Sequence, residues 1–210
     1  MTQFYVTESS EALDEVYDSD RLGNTQPKAR VINRGQMQKI STHKNPSGWL
    51  AVFEQPSLES LDNALWVVAL DGIQDPGNMG TILRLCDWFG MTHLVCSIDT
   101  VEQFNPKVVQ ASMGSILRVA VHYVPMDSWL ASQSKPIFGA VLRGTPVTKA
   151  HWPEEGILLM GNEGQGIRPN HEQFITEGVT ITGADQKGAE SLNVAMATGI
   201  LLHQWHLCQY

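Results

Sequence analysis

Three separated stretches place amides, carboxylates and glycines at the edge of an apolar strand or helix: Asn78-Met79-Gly80-Thr81-Ile82-Leu83-Arg84, Gly161-Asn162-Glu163-Gly164 and Ser191-Leu192-Asn193-Val194. Asn78, Ser191 and Asn193 can orient a polar ligand by hydrogen bonds. Glu163 can also take up a proton, and Arg84 offers a planar, permanently charged fork that matches a phosphate. Each also has an ordinary structural role. Asn78 and Ser191 are helix-capping types, Asn193 in a first helical turn can bond a neighbouring loop, Glu163 can accept from nearby amides, and Arg84 can be a solvated or ion-paired helix residue. Taken singly, spacing favours those roles. The second stretch says more, because Gly161, Gly164 and Gly166 follow an apolar run directly and allow a ligand to approach the backbone. Neither G-x-G-x-x-G nor a phosphate loop ending in Gly-Lys-Ser/Thr is present.

The elements that position these stretches alternate along the chain. Ala64–Leu70, His93–Cys96, Leu117–Val121, Ile137–Leu142, Ile157–Met160 and Val179–Thr182 read as strands, apolar on both faces as buried parallel strands must be. Gly77–Phe89, Lys107–Met113, Asp127–Ser132, Pro169–Phe174 and Leu192–Leu207 read as helices, the last with Ser191 as N-cap. The fold class expected is α/β with a mainly parallel sheet flanked by helices. The first 55 residues read as a separate small α/β piece: a helix at Ser9–Tyr17, a strand at Lys28–Asn33, a helix at Gly35–Ile40 and a strand at Trp49–Phe53. The expected domains are 1–55 and 56–210.

With 210 residues and 42% hydrophobic content the chain can bury a substantial core, yet its apolar runs stop well short of the roughly 18–20 residues that span a bilayer. No basic segment followed by an apolar run opens the sequence, and Cys86, Cys96 and Cys208 are odd in number and widely spaced. Reduced, buried thiols, no metal site, no membrane and a cytoplasmic location are the expectations. The net charge of −8 is unusual for a protein that binds nucleic acid, but it is unevenly spread. Six of the 14 basic residues (Arg21, Lys28, Arg30, Arg34, Lys39, Lys44) fall between 21 and 50 with no acidic residue among them, leaving eight to face all 22 acidic ones. The N-terminal part is therefore expected to offer a cationic surface.

In their order along the chain, the three stretches resemble the motifs of the SpoU (TrmH-type) RNA 2′-O-ribose methyltransferases of the SPOUT class: Asn-x-Gly-x-x-x-Arg, then Met-Gly-Asn-Glu-Gly after an apolar strand, then Glu-Ser-Leu-Asn-Val before a final helix. The resemblance spans Ala64 to the C-terminus. It implies a C-terminal trefoil knot, a homodimer, S-adenosylmethionine as cofactor and methyl transfer to a ribose 2′-hydroxyl of tRNA or rRNA. It further implies catalytic positions at Asn78, Arg84, Glu163, Ser191 and Asn193, and cofactor contacts at Leu142, Gly161, Ile181 and Leu192. The segment Thr182–Glu190 departs from the family's pattern of Ile-Pro-Met and a shorter loop. Phe4-Tyr5-Val6-Thr7-Glu8 and Gly48-Trp49-Leu50-Ala51-Val52-Phe53 resemble the latter part of the L30e-like substrate-binding domain, which implies an abbreviated RNA-binding domain using Arg30, Arg34, Lys39 and Lys44. Two rival readings are a catalytically silent RNA-binding protein with the same knot and a knotted methyltransferase that acts on a base nitrogen.

Overall fold

The computed structural model describes residues 3–8, 29–55, 60–61, 64–184 and 188–209; the helix expected at Ser9–Tyr17 lies outside them, as do Arg21 and Lys28. The chain divides into two compact units, Met1–Ser57 and Leu58–Tyr210.

In the small unit three strands, β1 (Gln3–Thr7), β2 (Ala29–Ile32) and β3 (Trp49–Val52), form a sheet in the order β2-β1-β3, with β1 parallel to β2 and antiparallel to β3. Helix α1 (Arg34–Ile40) begins on a capping box in which Asn33 and Gln36 each bond the other's backbone N–H.

The large unit has six parallel strands: β4 (Trp66–Asp71), β5 (His93–Ser97), β6 (Ala120–Val124), β7 (Ile137–Pro146), β8 (Gly156–Gly161) and β9 (Glu177–Thr180), in the order β6-β5-β4-β8-β7-β9. Every residue of β4, β5 and β8 is buried, which is why these runs are apolar throughout. Alternate residues serve opposite faces. Trp66, Val68 and Leu70 join a core layer with Met79, Ile82, Leu83 and Cys86 of α2 (Pro76–Trp88) and with Val194, Leu201 and Leu202 of the last helix. Val67 and Ala69 face Met126 and Leu130 of a helix at Met126–Ala131. Each fully buried large side chain of this kind contributes about 1.5–3 kcal/mol. The remaining helices, in chain order, are α3 (Pro106–Ser112), α4 (the Met126–Ala131 helix), α5 (Pro169–Glu172) and α6 (Val194–Leu207). Gly80 lets α2 and α3 meet: a Cβ there would lie 2.5 Å from that of Ala111.

Two strands depart most from expectation. The run Leu117–Val121 does not open a strand, because Met113 and Gly114 turn through the left-handed region and Ser115–Leu117 continues as a 3₁₀ turn. The strand starts only at Ala120, opposite His93. In β7 the ladder continues beyond Leu142, since Ala140 and Thr145 both face Val179 and residues 141–144 bulge out between them. Of the cysteines, Cys86 and Cys96 are buried and free as expected, with burial pushing the Cys86 thiol up to about 12, but Cys208 is exposed.

Candidate active site

β4 and β8 are neighbours, but the chain leaves them in opposite directions, through α2 to β5 on one side and through α5 to β9 on the other. Open α/β sheets take ligands beyond the carboxyl ends of the strands at such a reversal. Asp71 and Gly161 are paired across that edge.

Helix α2 is started by Asp75-Pro76. The Asp75 side chain accepts from the Asn78 backbone N–H at 2.8 Å, and Pro76 sits at a position whose N–H would have had no helical partner. The cap is therefore Asp75 and not Asn78, whose side chain is released for other contacts. Its Nδ2 donates to Glu163 Oε1 at 3.0 Å and its Oδ1 accepts from Asn193 Nδ2 at 2.8 Å.

The last helix carries a second correction. Asn193, not Ser191, is its N-cap, with Oδ1 accepting from Ala195 and Met196 at 2.9 and 3.2 Å, so the helix starts at Val194 rather than Leu192. Ser191 stands exposed two residues earlier and makes no side-chain hydrogen bond among the described residues. These roles settle the orientation of the amides. An ionised Glu163 only accepts, so Asn78 turns its NH₂ to Glu163 and its oxygen to Asn193, whose own oxygen is taken by the helix. The chain Glu163–Asn78–Asn193 thus joins all three sequence motifs.

The Glu163 turn is built to be stiff. Asn162 and Gly166 exchange two backbone hydrogen bonds of 2.9 Å each, Asn162 Oδ1 accepts from Gly164 and Gln165, and its Nδ2 donates to the Gly72 carbonyl at 2.6 Å. A Cβ on Gly161 would lie 2.1 Å from the Gly166 carbonyl carbon, and Gly166 has φ +73°. Position 161 therefore excludes any side chain. Gly164, by contrast, has room.

Arg84 is exposed on α2 and bonds none of these groups. Six helical residues turn roughly 600°, which leaves it about 120° round the helix from Asn78 rather than on a related face. It has no carboxylate partner among the described residues. Leu142 and Leu192 are 71% and 52% exposed, and Ile181 is half-buried against the core. Thr180 Oγ1 donates to the Leu142 carbonyl at 3.1 Å, holding the β7 bulge beside the end of β9. Exposed apolar side chains and a row of amides are the kinds of group that can hold a nucleoside, which has flat apolar faces and polar edges.

Asp71, Asp75, Arg168 and His171 are absent from the residues singled out by sequence, and Asn162 lies in the second stretch without a role assigned to it. Asp75-Pro76 carried a readable helix-start signal. Asp71, Arg168 and His171 carried none, for their contacts bridge 97 and 100 residues.

In the small unit Arg30, Arg34, Lys39 and Lys44 are all exposed, without a carboxylate partner among the described residues. A cleft of about 360 Å³ there is lined by Thr7, Asn33, Arg34, Met37 and Gly48, among others.

A six-stranded parallel sheet whose chain direction reverses between β4 and β8, with polar loops joined by hydrogen bonds at that edge, defines an α/β protein of the open, doubly wound kind. The chain belongs to the SpoU rRNA methylase family, whose model matches residues 66–203. It is 29% identical over 177 residues to the 23S rRNA (guanosine(2553)-2′-O)-methyltransferase RlmP of Bacillus subtilis, covering 82% of this chain and 70% of that protein. A TrmH-family protein from Porphyromonas gingivalis superposes with a TM-score of 0.80 at 36% identity, over 97% of this chain and 81% of that one. An AdoMet-bound rRNA methyltransferase from Sinorhizobium meliloti superposes with a TM-score of 0.79 at 25% identity, over 98% and 79%.

Proposed function

We propose that this protein transfers a methyl group from S-adenosylmethionine to a ribose 2′-hydroxyl of RNA. The observation that carries the reading is the continuous chain Glu163–Asn78–Asn193, which brings three motifs together at one edge of the sheet in a member of the SpoU family. Relatives named as 23S rRNA 2′-O-methyltransferases make ribosomal RNA the first substrate class to test and tRNA the second. The fit of the cofactor rests on Leu142, Ile181 and Leu192 as apolar walls and on the Gly161 turn as a cradle.

The sulfonium of the cofactor supplies an activated methyl group and its own leaving group. This chain's residues then have two tasks, holding the ribose in line and receiving the hydroxyl proton. Arg84 clamps the neighbouring phosphate, since a permanently protonated guanidinium is a poor base. Glu163 Oε1 is occupied by Asn78, and its second oxygen makes no hydrogen bond among the described residues, so it takes the proton. Asn78 and Asn193 fix that carboxylate, and Ser191 borders the pocket.

The fold reading extends in the same way. The last helix packs against α2 and β8 in the middle of the sheet although it follows the edge strand β9, a path that supports a trefoil knot. Met196, Ile200 and Leu207 on α6 and Trp88 on α2 expose apolar side chains at helical spacing, which supports a homodimer. The small unit acts as an L30e-like RNA-binding domain. Arg30, Arg34, Lys39 and Lys44 supply the charge, and Trp49, 51% exposed, offers a ring on which a base can stack. No described helix is long and apolar enough to cross a membrane, and the relatives' ribosomal substrates support a cytoplasmic site of action.

The test is to incubate the protein with methyl-labelled S-adenosylmethionine and unmodified rRNA or tRNA transcripts, then digest the RNA to nucleosides. Label in 2′-O-methylnucleosides is the expected result. Label on a base, or cofactor binding without transfer to either RNA, would overturn the assignment.

A further inference from the structure

Asp71 ends the central strand β4 and is fully buried, whereas the neighbouring strands β5 and β8 end in the uncharged Ser97 and Gly161. A buried carboxylate is unfavourable unless partners surround it; here two groups donate to Oδ2, and a guanidinium stands at ion-pair distance from Oδ1, which accepts no hydrogen bond. The Arg168 backbone N–H donates to Oδ2 at 2.9 Å, His171 Nδ1 lies 2.8 Å from the same oxygen, and the Arg168 guanidinium lies 3.3 Å from Oδ1. Because a carboxylate only accepts, His171 Nδ1 carries the hydrogen. The same guanidinium pairs with Asp99 beyond β5 and lies over Gly72, while Asp127 of α4 stands 3.4 Å from His171 Nε2.

All the donors to Asp71 come from the segment just after the Glu163 turn. The turn, 162–166, is bracketed by Gly161, which pairs with Asp71 in the ladder, and by Arg168, which Asp71 holds through its carboxylate. One residue therefore anchors both ends of the turn, by its backbone register on one side and by its side chain on the other. An apolar residue would suit the buried strand end at least as well, so stability alone does not ask for an acid there.

We propose that Asp71 is a positioning residue for methyl transfer: by pinning Arg168 and His171 it sets the place from which Glu163 meets Asn78. This rests on the function proposed above. In Asp71→Asn one acceptor is lost and an NH₂ is set against the donors that remain.

Three readouts test it: hydrogen exchange of the amides, kcat and KM with an unmodified rRNA transcript, and a double-mutant cycle with Glu163→Gln. Exchange is expected to quicken at residues 162–171 while β4, β5 and β8 keep wild-type protection. The value of kcat should fall about 100-fold with KM for RNA little changed, as expected for a displaced group. The double variant should be no slower than the slower single one. Unchanged exchange in the turn, protection lost throughout the sheet, or multiplied losses in the double variant would each overturn the proposal. If Asp71→Asn does not fold, Arg168→Met, at a side chain 32% exposed, replaces it in the same three measurements, and the same results support or overturn the proposal. Should the wild-type protein methylate no RNA, the proposed function fails, while the exchange pattern still decides whether Asp71 holds the turn.

Discussion

The two ends of the same pair of strands are built from opposite materials. At the carboxyl edge β4 and β8 run out into Asp71, Gly161 and loops joined by amides and carboxylates, with Asn78 half-buried and Glu163 and Asn193 exposed. At the amino edge they begin with Trp66 and Gly156, and the Trp66 ring lies 5.5 to 5.7 Å from those of Phe138, Trp152 and Trp205. Gly156 leaves the room this needs, since a Cβ there would reach within 2.6 Å of Trp66. Exposed hydrogen bonds add little net stability, whereas buried aromatic rings add a great deal. The division of labour is spatial: one end keeps the sheet together, and the other is free to hold polar groups in a geometry that stability would not select.

The contrast between the two ends breaks most visibly at Arg84. Arg84→Ala should lower kcat/KM by about 10³-fold, in the range seen when a single charge-stabilising donor is removed, with an unchanged melting temperature and cofactor affinity. Near-normal turnover would remove Arg84 from the site. At the other end, Trp66→Ala should cost about 3–5 kcal/mol in urea denaturation while the folded fraction keeps its kcat. A loss of turnover without loss of stability would end the division between the two edges.

A finer test lies at Asn193, which serves both as cap and as link. Asn193→Asp keeps a good cap, so stability should move by less than about 0.5 kcal/mol. It removes the donor to Asn78, and kcat should fall about tenfold, the equivalent of one hydrogen bond. The smallest effect is one of pH. His93 opens β5 and His122 stands at the centre of β6; both are buried with ring nitrogens 3.0 Å apart, and burial followed by the His93 charge holds His122 below the usual imidazole range. The unfolded chain then binds the proton more readily. Stability is fully present above about pH 6.5 and declines as pH falls through the lower, folded-state value. Urea midpoints at pH 7.5 and 5.5 should differ in that direction for the wild type and less for His122→Gln.

Much of the fold is legible because buried parallel strands leave so plain a mark. Five of the six strands of the large sheet begin within two residues of where apolar runs place them, and the three polar interruptions do meet. The failures have physical causes. Leu117–Val119 is apolar enough for a strand, but the left-handed pair before it commits the backbone to a 3₁₀ turn. Asn78 and Ser191 look like caps by type, yet Asp75 and Asn193 stand closer to the first turns' free N–H groups and take them. Asp71 is invisible for another reason. A single acid at the end of an apolar run reads as the start of a loop, and only the folded chain brings His171 to it.

The bond from Asn193 to Asn78 joins positions 115 residues apart. A chain still being made can form β4, α2 and most of its core long before residue 193 is available. In that interval Asn78 lacks the partner that orients it, and α6 has not yet closed over α2. Under the function proposed above, catalytic competence is thereby deferred until the last helix docks, so that a truncated molecule, even one that holds its cofactor, would be silent toward RNA.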